Sequence, residues 1–150
     1  MATVFVAHEV RHDRPVALKI LHADLANALG RERFEREIDL PACLQHPHIV
    51  TVHDSAEDAR QLWFTMPFVD GETLRDRVHR EKQLSVDNAV PIAREAADAL
   101  DYAHRHGVVQ SDIKPENILL ADGHALVADF VIVRAPADGG AQLTQTGTGV

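Results

Sequence analysis

Asp112, Lys114 and Asn117 stand within six consecutive positions, in Asp112-Ile113-Lys114-Pro115-Glu116-Asn117, and Asp129-Phe130 follows an apolar stretch, Ala125-Leu126-Val127-Ala128. An acid, a cation and an amide at fixed offsets, with a proline holding the turn between them, form a set that phosphoryl transfer requires. That chemistry needs a carboxylate to orient a hydroxyl, a positive charge near the moving group, and oxygen ligands for Mg²⁺. A solvated polar turn ahead of a hairpin would explain the polarity of the run, but not its joint spacing with Asp129-Phe130.

Those residues need a scaffold, and the rest of the chain supplies its outline. Thr3 to Val10 alternates around Val4, Val6 and Val10, and Val16 to Leu21 is rich in branched residues. Arg11 to Pro15 between them reads as a turn, so the two runs predict a hairpin. Arg31 to Gln45 is charged and amphipathic, with Phe34, Ile38, Leu40 and Leu44 as apolar members, and predicts a helix that ends at His46-Pro47-His48. Ile49 to His53 and Leu62 to Met66 predict two further strands, and Asp70-Gly71 a turn before a short helix over Leu74 to Glu81.

Ser85 fits the N-cap of the next helix, whose apolar face is expected to run Ala89, Ala93, Ala96, Ala97, Leu100 and Ala103, with Gly107 as its stop. Pro41 and Pro91 fall inside expected helices, where each costs about 3 kcal/mol or a kink. Ile118 to Leu120 and Ala125 to Ala128 predict a hairpin around Asp122-Gly123. From Ala135 onward the chain is rich in Gly, Thr and Ala without a periodic face, and is expected to be a mobile loop.

Composition narrows the class. The 150 residues are 45% hydrophobic and carry a formal net charge of −8, which fits a soluble globular domain and argues against a nucleic-acid partner. No apolar run approaches the ~20 residues of a membrane span, and no signal peptide opens the chain, so a cytoplasmic location is expected. The single cysteine, Cys43, reads as a small core residue in a reducing compartment. His8-Glu9-Val10-Arg11-His12 fits the H-E-x-x-H zinc pattern, but it leaves a β-rich stretch and enters a turn, where the two histidines do not converge as they do on a helix.

The combination D-x-K-x-x-N followed by D-F resembles the catalytic and metal-binding segments of protein kinases. Val16-Ala17-Leu18-Lys19 resembles that family's V-A-I-K strand. The wording of the chain as a whole (VALK, LQHPHIV, MPFVDGETLRD, ALDYAHRHGV, DIKPENILL) resembles the bacterial serine/threonine kinases related to the eukaryotic ones.

The resemblance implies an α+β, protein-kinase-like fold. An incomplete N-lobe and hinge would occupy 1–69, with an antiparallel sheet plus the family's helix αC. The start of the helical C-lobe would occupy 70–134, and an activation-loop segment 135–150. It implies ATP and Mg²⁺ as cofactors and a protein Ser/Thr hydroxyl as acceptor. Asp112 and Lys114 would be catalytic, with Lys114 marking the serine/threonine branch. Asn117 and Asp129 would bind the metal. Lys19 would meet the ATP phosphates, held by Glu37. Val4, Ala17, Met66 and the backbone at Phe68 would surround the base.

Departures from the pattern are equally visible. Ala2 takes the place of the third glycine of the phosphate loop, and the earlier glycines and an A-P-E motif are not in the chain. Gln110-Ser111 stands where His-Arg is usual, and Val131 where the glycine after Asp-Phe is usual. Ser111 cannot pair with a phosphorylated loop, although Thr144, Thr146 and Thr148 resemble phosphosites. These departures also fit a truncated or degraded kinase, or a non-catalytic nucleotide- or protein-binding module. An exposed apolar face on the long helix would mark a piece that folds poorly alone.

Overall fold

The computed structural model describes residues 2–24, 34, 38–39, 42–59, 61–110 and 112–130. Strands β1 (Ala2–Glu9) and β2 (Arg14–Leu21) pair antiparallel through a turn in which Asp13 takes a positive φ of 51°. The sheet continues to β4 (Gln61–Pro67) and ends at β3 (Asp54–Asp58), in the order β1-β2-β4-β3. A second sheet of three strands, β5 (Glu72–Thr73), β6 (Ile118–Ala121) and β7 (His124–Val127), follows in the order β5-β6-β7.

Two helices accompany the second sheet. Helix α1 (Leu74–Glu81) is capped by Thr73, whose Oγ1 accepts the Asp76 N–H at 3.0 Å. Helix α2 (Val86–Arg105) is capped by Ser85, whose Oγ accepts the Asn88 N–H at 3.3 Å. At its other end Gly107, with φ 79°, carries the chain out of the helix. The Gly107 N–H reaches the His104 carbonyl at 3.0 Å and the Val108 N–H the Ala103 carbonyl at 2.9 Å, a Schellman closure that satisfies two terminal carbonyls.

Several expectations are met closely: the β1–β2 hairpin, α1, the Ser85 cap, and the β6–β7 hairpin with Asp122 (φ 52°) and Gly123 (φ 81°) in its turn. In the expected helix of 31–45, Phe34, Ile38, Asp39 and Ala42 are helical. Phe34 and Ile38 are buried with Leu21, Leu62 and Phe64, the core beneath the first sheet. Pro41 and the 135–150 segment, with its three threonines, lie outside the described residues.

Four expectations are corrected. Ile49–His53 does not form a strand: its first residues are held by the second sheet, while the His53 N–H meets the Thr65 carbonyl of β4 at 2.8 Å. Ile49 forms a parallel bridge to Val127, the Val50 N–H meets the Val127 carbonyl at 2.9 Å, and the Val127 N–H meets the His48 carbonyl at 2.8 Å. The partner of β4 is the acidic, exposed edge strand Asp54–Asp58, whose charges suit an unpaired sheet edge.

The buried face of α2 is Ala96, Ala99 and Ala103 with Ile92 and Leu100 packed alongside, while Ala93 and Ala97 are exposed. A run so rich in alanine contains several helical stripes, and contact with β7 selects this one. Helix α2 also runs unbroken through Pro91, although the proline has no N–H to give the Asp87 carbonyl one turn earlier. Cys43 is exposed at a turn after Ala42, and Leu44 enters the core instead. His8 and Glu9 lie at the end of β1 and bond separately, His8 to Asp13 and Glu9 to His12, so no H-E-x-x-H helix exists.

The lower core joins Leu44 and Ile49 to the α2 face, Val108, Ile118, Ala125, Val127 and Phe130. The segment 44–53 thus leaves one core and enters the other, which fixes the first sheet over the loop that carries Asp112.

Candidate active site

The alternation of an extended chain puts Ala17, Lys19 and Leu21 on one face of β2. Register then places Val4 opposite Lys19, and Met66 and Phe64 opposite Ala17 and Lys19, so six residues share that face. The Lys19 ammonium lies 5.6 Å from the centre of the Phe64 ring and bonds to Asp129 Oδ1. Val4 is exposed on the edge strand, and Met66 packs partly against the core. Phe68 lies beyond β4, and its side chain lines a separate cleft with Pro47 and His48. Glu37 lies outside the described residues.

Below this face, Lys114 to Asn117 forms a single 3₁₀ turn with Pro115 first in it, as suits a residue lacking an N–H. The Asn117 N–H returns to the Lys114 carbonyl at 2.9 Å. The turn aims three side chains at one point. Lys114 Nζ donates to Asp112 Oδ2 at 2.6 Å, and Asn117 Nδ2 donates to the Asp112 carbonyl at 2.8 Å. Asn117 is buried, and with Nδ2 used in this way its Oδ1 is the atom left to act as a ligand. The Lys114 ammonium, bonded to Asp112, holds that carboxyl below the usual aspartate range, with Asn117 and the charge of Lys19 acting in the same direction. Asp112 in turn raises the pKa of Lys114.

Asp129 reaches the same place from β7. The Ala128 N–H donates to the Asn117 carbonyl at 2.8 Å, which ties the strand exit to the turn. Asp129 itself has a φ of 62°, a left-handed conformation that aspartate tolerates better than most residues. Lys19, Asp112, Lys114, Asn117 and Asp129 are therefore joined by direct or one-residue links, from two sheets and a loop.

Gln110 is a member of this group that its residue type does not announce. The residue is 7% exposed, and both polar atoms of its side chain are used. Its Nε2 donates to the Asp129 carbonyl at 2.6 Å and to the Ala128 carbonyl at 3.2 Å, while its Oε1 accepts the Asp112 N–H at 3.2 Å. In the sequence it counts only as a departure from His. In the fold it joins the backbone at Asp112 to the backbone at Asp129. Ser111 and Val131, the neighbouring departures, lie outside the described residues.

The protein kinase domain matches this chain over residues 1–149. The chain belongs to the protein kinase family. Among curated relatives, PknB of Mycolicibacterium smegmatis, a serine/threonine-protein kinase, is 41% identical over 97% of the chain and 24% of its own length. PknJ of Mycobacterium tuberculosis, likewise a serine/threonine-protein kinase, is 44% identical over 99% of the chain and 26% of its own length. The chain thus spans about a quarter of these kinases, and its family is that of the bacterial, eukaryotic-like serine/threonine kinases.

The crystal structure of the M. tuberculosis PknI kinase domain superposes with a TM-score of 0.80 at 36% identity, covering 88% of this chain and 54% of that one. The fold is a partial protein-kinase fold, with the antiparallel sheet of the N-lobe above the first elements of the C-lobe. Among the described residues, no helix is long and apolar enough to cross a membrane.

Proposed function

We propose that this kinase-family chain serves phosphoryl transfer from Mg·ATP to a serine or threonine hydroxyl of a protein. The observation that carries the reading is the convergence of Lys19, Asp112, Lys114, Asn117 and Asp129 on one site below one sheet face. When bound, Mg·ATP supplies the transferable γ-phosphoryl group with its charge partly neutralised.

Each residue has a role its surroundings support. Asp112, kept ionised by Lys114, orients the acceptor hydroxyl and takes its proton. Lys114 places a positive charge beside that carboxylate, where charge on the transferred group passes. Oδ1 of Asn117 and the Asp129 carboxylate are hard oxygen donors of the kind Mg²⁺ selects, and the bond from the Ala128 N–H to the Asn117 carbonyl ties the residue before Asp129 to Asn117. Lys19 faces the phosphates, and Glu37 is assigned as its second carboxylate partner. Val4, Ala17 and Met66 form the apolar face for the base, with the Phe68 backbone at its edge. Gln110 holds Asp112 and Asp129 in mutual register as a positioning residue. Because positioning and electrostatics provide most of such catalysis, that link bears directly on rate.

In this reading 1–69 and 70–134 are the two lobes, 135–150 is an activation-loop segment, and the partners are ATP and a protein substrate in the cytoplasm rather than a nucleic acid. Radiolabelled phosphate transfer to a generic basic protein, compared with Asp112→Ala, tests it. Transfer that depends on Asp112 supports the assignment, and equal transfer by the variant sinks it. A nucleotide-binding module without transfer is the second reading, favoured by Gln110-Ser111 and Val131. Saturable Mg·ATP binding with no transfer by the unaltered chain would select it.

A further inference from the structure

Apart from the residues around Asp112, three potential metal ligands from separate elements meet. His48 lies in the crossing segment, Glu95 on α2 and His124 at the start of β7. Among the described residues they form the one group of at least three His, Cys, Asp or Glu whose ligand atoms all lie within 4.8 Å of one another. Glu95 Oε1 is 2.9 Å from His124 Nδ1, and Glu95 Oε2 is 3.9 Å from His48 Nδ1. Glu95 and His48 are largely buried, with side chains 15% and 17% exposed, whereas His124 is 64% exposed.

Both buried members are oriented by one rigid piece of backbone. The fully buried Ala125 donates its N–H to Glu95 Oε2 at 2.7 Å, and its carbonyl lies 2.9 Å from His48 Nδ1. With the carbonyl at Nδ1 fixing the imidazole plane, as outer hydrogen bonds do for metal-ligating histidines, His48 would bind an ion through Nε2. One side of the group opens on a cleft of about 730 Å³ that also exposes Asp70 and Asp122 to solvent, giving a path for an ion and a water ligand.

We propose that His48, Glu95 and His124 form a site for a divalent transition-metal ion of the zinc type, separate from the Mg²⁺ site of the proposed reaction. Two imidazoles and one carboxylate with an open position match zinc coordination, and nitrogen donors disfavour Mg²⁺. The ion would clip the crossing segment and the β6–β7 hairpin to α2. The site does not depend on the chain being an active kinase.

The test uses the full chain carrying Cys43→Ser, which removes the one exposed thiol as a competing ligand. Equilibrium dialysis against Zn²⁺ alone is followed by metal analysis, with Co²⁺ absorption as a second readout. One tightly held Zn²⁺ per chain is expected, with a tetrahedral Co²⁺ band. Affinity should fall about tenfold or more in His124→Gln and in Glu95→Gln, which retains an acceptor for the Ala125 N–H. His124 is exposed, so its variant should keep the native circular dichroism. Zn²⁺ bound with the same affinity in both variants, as scattered binding over the ten histidines would give, overturns the proposal. So does the absence of a stoichiometric ion in the parent chain.

Discussion

The ammonium of Lys19 on β2 bonds to the carboxylate of Asp129 after β7, a residue 110 positions away in sequence. The pair links the two sheets, and both side chains are partly shielded from water, at 16% and 28% exposure. Shielding makes an unpaired member costly, so the bond also sets how the chain responds to losing either one. Lys19→Met leaves Asp129 without its cation, and urea unfolding should show a loss of about 1–3 kcal/mol. The double variant with Asp129→Asn should lose less than the sum of the two single changes, a coupling that a double-mutant cycle reads directly.

The Asp112–Lys114 pair makes a prediction about pH. The folded pKa of Asp112 lies below its ordinary value of 3.8, chiefly through the Lys114 hydrogen bond. A depressed carboxyl contributes stability above its unfolded pKa and loses it as pH falls through the folded value. Asp112 is therefore ionised throughout the neutral range, and its protonation does not limit activity there. Carboxyl ¹³C titration should give an Asp112 midpoint under 3.8 that rises in Lys114→Met. A midpoint unmoved by that substitution would remove Lys114 as the cause.

Gln110 makes a third prediction. Gln110→Ala leaves the Ala128 and Asp129 carbonyls and the Asp112 N–H without their partner in a buried place. Unfolding measurements should show a cost of about 1–3 kcal/mol. Gln110→Glu should cost more, because it directs a carboxylate at two carbonyl oxygens. If both variants match the parent in stability, the bridge is not formed in solution.

Pro91 predicts a gain. Its ring sits in α2 at an exposed position, where it has no N–H to give the Asp87 carbonyl. Pro91→Ala restores that bond and should stabilise the chain, by up to about 3 kcal/mol. A lower melting temperature in the variant would show that the proline is favoured by its context.

The scaffold was legible where local chemistry decides it. The Asp122-Gly123 turn, the Ser85 cap and the Gly107 stop are short-range signals, and each is where its residues place it. Signals failed where a distant partner decides. Ile49–His53 has the composition of a strand, yet Val127 and Thr65 divide its backbone between the two sheets, and the plainly polar Asp54–Asp58 pairs with β4. Alanine repeats in α2 did not reveal their buried stripe, because only β7 distinguishes them. At the site, the motif residues converge as their spacing suggests. Gln110 was hidden because an amide at that position gains meaning only from carbonyls eighteen and nineteen residues away. His48, Glu95 and His124 lie in three segments that no sequence spacing relates.

The central claim is that the acid, amide and lysine around Asp129 receive Mg·ATP, and titration calorimetry tests it most directly. The chain should bind one ATP saturably in Mg²⁺, more weakly when Mg²⁺ is removed, and with at least about tenfold lower affinity in Asp129→Ala. Binding that ignores both Mg²⁺ and Asp129→Ala, or no saturable binding by the folded chain, would contradict it.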